Sequence, residues 1–163
     1  PAYNKDEMAG TAMPPEVKER AKELLKMAAI LQFTLFGVPC IYYGDEIGME
    51  GYGDPFCRYP FRWDDIDEEL LSFYKNLGKL RAAADMFKDG EYIELYADEK
   101  CLVYERTNGS EQVIVAVNSG TNLFDIKYSG TLYDITDHCR IFENLFTIKP
   151  SSATILANFR LKQ

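Results

Sequence analysis

Two rhythms of hydrophobic and polar positions divide the chain. In the first, Val17, Ala21, Leu24, Leu25, Ala28, Leu31 and Leu35 fall at helical spacing. Pro14-Pro15 suits the first turn of a helix, Glu16 favours its dipole, and Gly37 fits the position just past its end. The pattern predicts a helix over 14–36, preceded by a polar loop or disordered lead over 1–13. From Met27 onward the helix is apolar nearly all round, which predicts burial on more than one side. Residues 39–43 form a short apolar run without alternation, the pattern of a parallel strand covered on both faces. Glycines and prolines keep the next fifteen residues irregular. Asp64 or Asp65 is then expected to cap a second helix, which carries an apolar stripe of Leu70, Leu71, Tyr74, Leu77, Leu80 and Arg81 to about residue 84.

The second rhythm begins near Lys88. Strands are predicted at 92–96, 101–107, 112–118, 123–126, 131–134 and 154–159, with a further one at 145–148. Turns are expected at Asn108-Gly109, Ser119-Gly120 and Ser129-Gly130. Short strands at this spacing predict an antiparallel β-sandwich. The helix, loop, buried strand and long loop before it have the rhythm of an α/β barrel, too short here to close. The expected domains are therefore 1–87, α/β, and 88–163, all-β.

At 163 residues, 47% of them hydrophobic, the chain carries enough apolar content for a packed core. No apolar run reaches the length of a membrane helix. A net charge of −8 argues against nucleic-acid and anionic-membrane partners. Cys40, Cys57, Cys101 and Cys139 form no C-x-x-C pair, so no zinc site is expected. All four read as reduced thiols, with Cys40 and Cys101 buried, which points to a cytoplasmic protein. His138, the one histidine, reads as structural, and neither a metal nor a cofactor is expected.

The chemistry concentrates between Gly37 and Trp63. Gly44, Asp45 and Glu46 follow the predicted strand at its carboxyl end, where barrel and open-sheet sites lie. Adjacent carboxylates on an extended segment point apart, so Asp45 and Glu46 are poor candidates for the facing acids of a glycosidase. They are expected to hold the loop. Asp54 and Arg58, four residues apart on a turn, pair a hydroxyl-accepting carboxylate with a donating guanidinium. That pair serves either sugar recognition or a local salt bridge. Tyr52, Phe56, Tyr59, Phe61 and Trp63 put five rings in twelve residues. Tyr52 and Phe56 are expected to be exposed for stacking, and Trp63 to pin the loop.

This stretch, with Tyr42-Tyr43-Gly44-Asp45-Glu46-Ile47-Gly48-Met49, Gly51, Gly53, Asp54-Pro55, Arg58 and Trp63, closely resembles the eighth barrel strand and following loop of glycoside hydrolase family 13, the α-amylase family. It is most similar to the neopullulanase, cyclomaltodextrinase and maltogenic amylase group. The run from Phe73 to Arg81 resembles the family's last barrel helix, and the remainder its C-terminal β-sandwich, domain C. The resemblance implies the last helix–strand–helix of a (β/α)8 TIM barrel followed by that sandwich. It implies that Asp54 and Arg58 bind glucose units on the non-reducing side of the cleavage point, and that Gly44, Asp45 and Glu46 shape the pocket floor. The family's aspartate nucleophile, glutamate acid–base, second aspartate, two histidines and arginine belong to motifs absent here, so no catalytic residue is expected within the chain.

The expectation is therefore the C-terminal portion of an α-glucan hydrolase that cleaves α-1,4 bonds, with α-1,6 as a second option, by a retaining mechanism. Its partner would be an α-glucan or maltooligosaccharide. The alternative is a stand-alone carbohydrate-binding module that self-associates through the exposed barrel face. A secreted parent is the alternative to a cytoplasmic one.

Overall fold

The computed structural model describes residues 11–51, 53–136 and 141–160. Among the described residues, three helices precede six strands: α1 (Pro15–Thr34), α2 (Glu68–Ala83), α3 (Met86–Asp89), then β1 (Glu91–Ala97), β2 (Cys101–Thr107), β3 (Gln112–Asn118), β4 (Phe124–Asp134), β5 (Ile141–Ile148) and β6 (Ser152–Ala157). Two 3₁₀ turns, Asp45–Ile47 and Phe56–Arg58, interrupt the long loop between α1 and α2.

The strands form one antiparallel sheet in the order β1-β2-β3-β6-β4-β5. β4 pairs with β6 only at Tyr133 and Asp134, and the β4–β5 hairpin folds over the rest of the sheet. The sheet curls, and Val103, Ile114, Ala116 and Leu156 meet Ile126, Leu132, Phe146 and Ile148 inside the curl. The expected sandwich is thus one continuous sheet folded on itself. The opposite face, with Tyr104, Val113, Val115, Val117, Ile155 and Ala157, packs on Ile30, Phe33, Leu77, Leu80, Met86 and Phe87 of the helices. β3 is buried along both faces because it lies between these two cores, and a period of two sends its side chains alternately into each.

Several sequence expectations need correction. The predicted strands at 123–126 and 131–134 are one strand, β4. Gly130, at φ 107°, makes an irregularity in its pairing with β5 instead of a turn. The cap of α2 is Asp67, not Asp64 or Asp65: its Oδ1 accepts the Leu70 N–H at 2.9 Å. The second half of α1 is not buried all round. Met27, Ala29, Ile30 and Phe33 are covered, while Ala28 and Gln32 are exposed. Residues 39–43 form no strand, and Ile41, Tyr42 and Tyr43 are exposed, because no neighbouring strand lies alongside them among the described residues. Cys40 in that run is accordingly exposed, whereas Cys101 is buried as expected. Cys139 and His138 lie outside the described residues.

Two arginines secure the C-terminal end of α1, whose last carbonyls have no helical partners. Arg81 on α2 donates to the carbonyls of Phe33 (2.9 Å) and Leu35 (3.0 Å) and also to that of Gly37. Arg106 on β2, fully buried, donates to Thr34 O at 3.1 Å, Met86 O at 2.8 Å, Gly90 O at 3.2 Å and Glu91 O at 3.3 Å. Its guanidinium also lies 4.6 Å from the Phe36 ring centre. Beside it, Tyr104 shares a 2.5 Å hydrogen bond with Thr34, and burial pushes the Tyr104 hydroxyl up to about 12. The end of the helix is therefore fixed by groups from both parts of the chain, Arg81 before residue 88 and Arg106 after it.

α1 and α2 are also tied by charge. Lys22 reaches Asp67 at 2.8 Å and Glu69 at 2.9 Å, and Lys26 reaches Glu69 at 2.8 Å. Burial disfavours charge on both Lys22 and Asp67, but their mutual hydrogen bond wins. Lys22 rises to about 12 and Asp67 falls below its ordinary 3.8. Hydrogen bonds from Lys26 and Lys22 hold Glu69 below its ordinary 4.5. The stability these carboxylates contribute is present above their unfolded values and lost as pH falls through the depressed folded ones. Lys22 contributes fully below its unfolded 10.5, and that share disappears as pH rises through about 12. Thermal melts should show a drop below about pH 4, and Asp67→Ala should shallow that acid limb while costing about 1 kcal/mol at neutral pH through the lost cap. An unchanged acid limb in the variant would remove Asp67 from this role.

Candidate functional site

Gly44 opens the loop between α1 and α2. It is buried at φ 97°, and an added Cβ would lie 2.7 Å from Met49 Sδ, so no other residue fits without displacing that side chain. The left-handed turn there lets Gly44 O accept from Ile47 and Met49, and the chain winds into the first 3₁₀ turn. Asp45 and Glu46 are therefore on a 3₁₀ turn, not on an extended segment. Glu46 Oε2 accepts the Gly44 N–H at 2.8 Å. Asp45 is half-buried; desolvation and then the Glu46 charge raise its pKa. Below them, burial together with these two charges pushes the Tyr74 hydroxyl up to about 12. Loop-holding is what Glu46 does here, and no arginine contributes to it among the described residues.

Asp54 and Arg58 come together. Arg58 Nε donates to Asp54 Oδ1 at 2.9 Å, and both side chains are more than 60% exposed. The second 3₁₀ turn sets this spacing, with Arg58 N–H bonded to Pro55 O. The contact engages Arg58 Nε and Asp54 Oδ1, and a carboxylate beside a guanidinium is chemistry suited to hydroxyls. Tyr52 lies outside the described residues. Phe56 is half-buried, not exposed as expected, since its ring lies 6.3 Å from that of Tyr59. Trp63 is the reverse: it does not pin the loop but is 79% exposed, its ring 4.5 Å from Phe61.

Comparison with known proteins accounts for this loop. Residues 8–69 match the family model described as α-amylase, catalytic domain. Over 102 residues the chain is 37% identical to a cyclomaltodextrinase of Bacillus sp., an alignment covering 60% of this chain and 18% of that protein. Over 139 residues it is 32% identical to the cyclomaltodextrinase of Thermoanaerobacter pseudethanolicus, covering 81% of this chain and 24% of the relative. The chain belongs to the α-amylase family. Its fold matches that of the Anoxybacillus α-amylase with a TM-score of 0.75 at 23% identity, over 83% of this chain and 32% of that one. The chain thus spans less than a quarter of the length of these curated relatives.

For this α-amylase-family segment, sequence reasoning missed the groups that hold the loop in place. The Tyr43 hydroxyl donates to Tyr59 O at 3.0 Å and the Tyr42 hydroxyl to Cys57 O at 3.4 Å, bracketing the turn that carries Arg58. Their signal was hidden because two tyrosines ending an apolar run read as strand residues. Glu50 was missed as well. It accepts the Met13 N–H at 2.7 Å and pairs with Lys18 at 2.9 Å, and these donors lower its pKa. Among the described residues, no group of three histidine, cysteine or acidic side chains is placed to hold a metal, and no helix is long and apolar enough to cross a membrane.

Proposed function

We propose that this chain completes the active-site face of an α-glucan hydrolase, supplying the last helix–strand–helix of its (β/α)8 barrel (residues 1–87) and the domain C that follows (88–163). The observation that carries this reading is the segment after α1. Residues 39–43 have the composition of a buried parallel strand, yet Val38 is 91% exposed, and Ile41, Tyr42 and Tyr43 lie open beside it. Such a segment becomes a strand only between neighbours that take its N–H and C=O groups. Both arginine anchors at the end of α1 serve to aim it.

In the intact protein Asp54 and Arg58 hold sugar hydroxyls, and Gly44, Asp45 and Glu46 shape the floor below them. The bond is cleaved by a retaining double displacement between two carboxyl groups about 5–5.5 Å apart, contributed by other barrel strands. Preference among α-1,4 and α-1,6 linkages is set outside this segment. A cytoplasmic location is proposed from the free thiols.

The isolated chain should release no reducing sugar from maltodextrin. Joined in place of the corresponding C-terminal segment of the Bacillus cyclomaltodextrinase, it should support hydrolysis. Clear turnover by the isolated chain would overturn the assignment of catalysis elsewhere. The exposed segment also favours a second reading, self-association of a stand-alone binding module. A monodisperse dimer of the chain on sedimentation, coupled to maltodextrin binding, would favour that module.

A further inference from the structure

The second 3₁₀ turn, which carries Arg58, has hydrogen bonds of its own that are all local. Phe56 N–H donates to Gly53 O at 3.1 Å and Arg58 N–H to Pro55 O at 3.0 Å. Bonds within a turn set its shape but not its place against the rest of the protein. The exposed Asp54–Arg58 contact likewise joins two residues of one loop. The hydrogen bonds that reach outside come from the residues just before Gly44. The Tyr43 hydroxyl donates to Tyr59 O at 3.0 Å, and the Tyr42 hydroxyl to Cys57 O at a longer 3.4 Å. These carbonyls belong to the residues immediately before and after Arg58. The two tyrosine rings lie 5.0 Å apart at 32°, so each limits the swing of the other. Their backbone is secured in turn. Tyr42 O accepts the Asp45 N–H at 3.1 Å, and Gly44 O accepts the Met49 N–H at 2.9 Å.

A guanidinium presents its donors in one rigid plane, so it serves a ligand only from a fixed orientation. On an exposed loop that orientation has to come from the backbone beneath it. We infer that Tyr43 is a positioning residue for the Asp54–Arg58 pair, with Tyr42 as its weaker partner. The two hydroxyls tie the sugar-holding turn to the pocket floor at residues 44–46. Tyr43 does not touch the sugar; it acts through Arg58. The inference rests on the reading of Asp54 and Arg58 as sugar-binding groups given above.

The test is a double-mutant cycle in a full-length enzyme carrying this segment, read as KM and kcat for maltodextrin hydrolysis. Tyr43→Phe keeps the ring and removes only the hydroxyl. It should lower kcat/KM about three- to tenfold, the scale of one hydrogen bond, with the loss in KM and kcat nearly unchanged. Arg58→Ala should lower kcat/KM at least as far, and Tyr43→Phe added to it should cost nothing more. Tyr42→Phe should act in the same direction with a smaller effect. A tyrosine needed only for folding would instead reduce kcat through loss of folded enzyme, equally with and without Arg58, and melting curves of each variant check this. Suppose Arg58→Ala raises KM but Tyr43→Phe does not, or the full Tyr43→Phe factor recurs in the Arg58→Ala background. Either result overturns the positioning role and leaves the proposed function standing. If Arg58→Ala itself leaves KM unchanged, the sugar-binding reading of the pair fails and the positioning role goes with it.

Discussion

Arg106→Met should destabilise the fold by about 3–5 kcal/mol, the scale for breaking a buried, fully hydrogen-bonded charged group. Methionine fills much of the volume but donates nothing. The carbonyls of Thr34, Met86, Gly90 and Glu91 would each lose a charged donor in a place water does not reach freely. The packing of the guanidinium on Phe36 would also go. Arg106 has no carboxylate partner among the described residues, and burial lowers its pKa from its ordinary value, yet so strong a base keeps its proton. Arg106→Lys should recover only part of the loss, because one ammonium cannot serve acceptors spread across α1, α3 and β1. Urea denaturation followed by circular dichroism gives the number. A change below about 1 kcal/mol would mean that the carbonyls find other donors and that Arg106 does not join the two parts of the chain.

The second large effect concerns sugar binding. In an intact enzyme carrying this segment, Asp54→Ala should weaken productive substrate binding by about 1–3 kcal/mol, or roughly ten- to hundredfold in kcat/KM. The loss has two sources: the carboxylate no longer accepts from sugar hydroxyls, and Arg58, freed from its 2.9 Å contact, no longer holds one orientation. The fold should be unaffected, since an exposed pair contributes little stability. Unchanged kcat/KM with a normal melting curve would confine the pair to shaping the loop.

How far the sequence could be read depends on what each residue answers to. α1, α2, β2 and β3 were legible because their apolar periods answer to burial, and burial is local to one face. β2 and β3 fall on their predicted ranges for that reason. β4 was misread because Ser129-Gly130 has turn chemistry, while its neighbour β5 continues past it and keeps it in the sheet. The failure at residues 39–43 is of a different kind: a strand's existence depends on partners, which a run of its own residues cannot supply. In the loop, the Asp54–Arg58 spacing was readable from four residues of turn. Phe56 and Trp63 were interchanged, because exposure of a ring depends on which neighbour it meets: Tyr59 half-covers one, and Phe61 leaves the other open. Arg106 carried no signal at all, being one charge in a strand whose burial is decided by helices α1 and α3, met at Thr34, 72 residues earlier in the chain, and at Met86, 20 residues earlier.

The central claim is that these residues close a barrel whose catalytic groups lie elsewhere in the same protein. The most direct test is the coding sequence immediately upstream of Pro1 in the source DNA. The account predicts a reading frame that continues for hundreds of residues and carries the family's aspartate, glutamate and histidine–aspartate motifs. A start codon directly before Pro1, with no such motifs in frame, would contradict it and leave a binding module without catalysis.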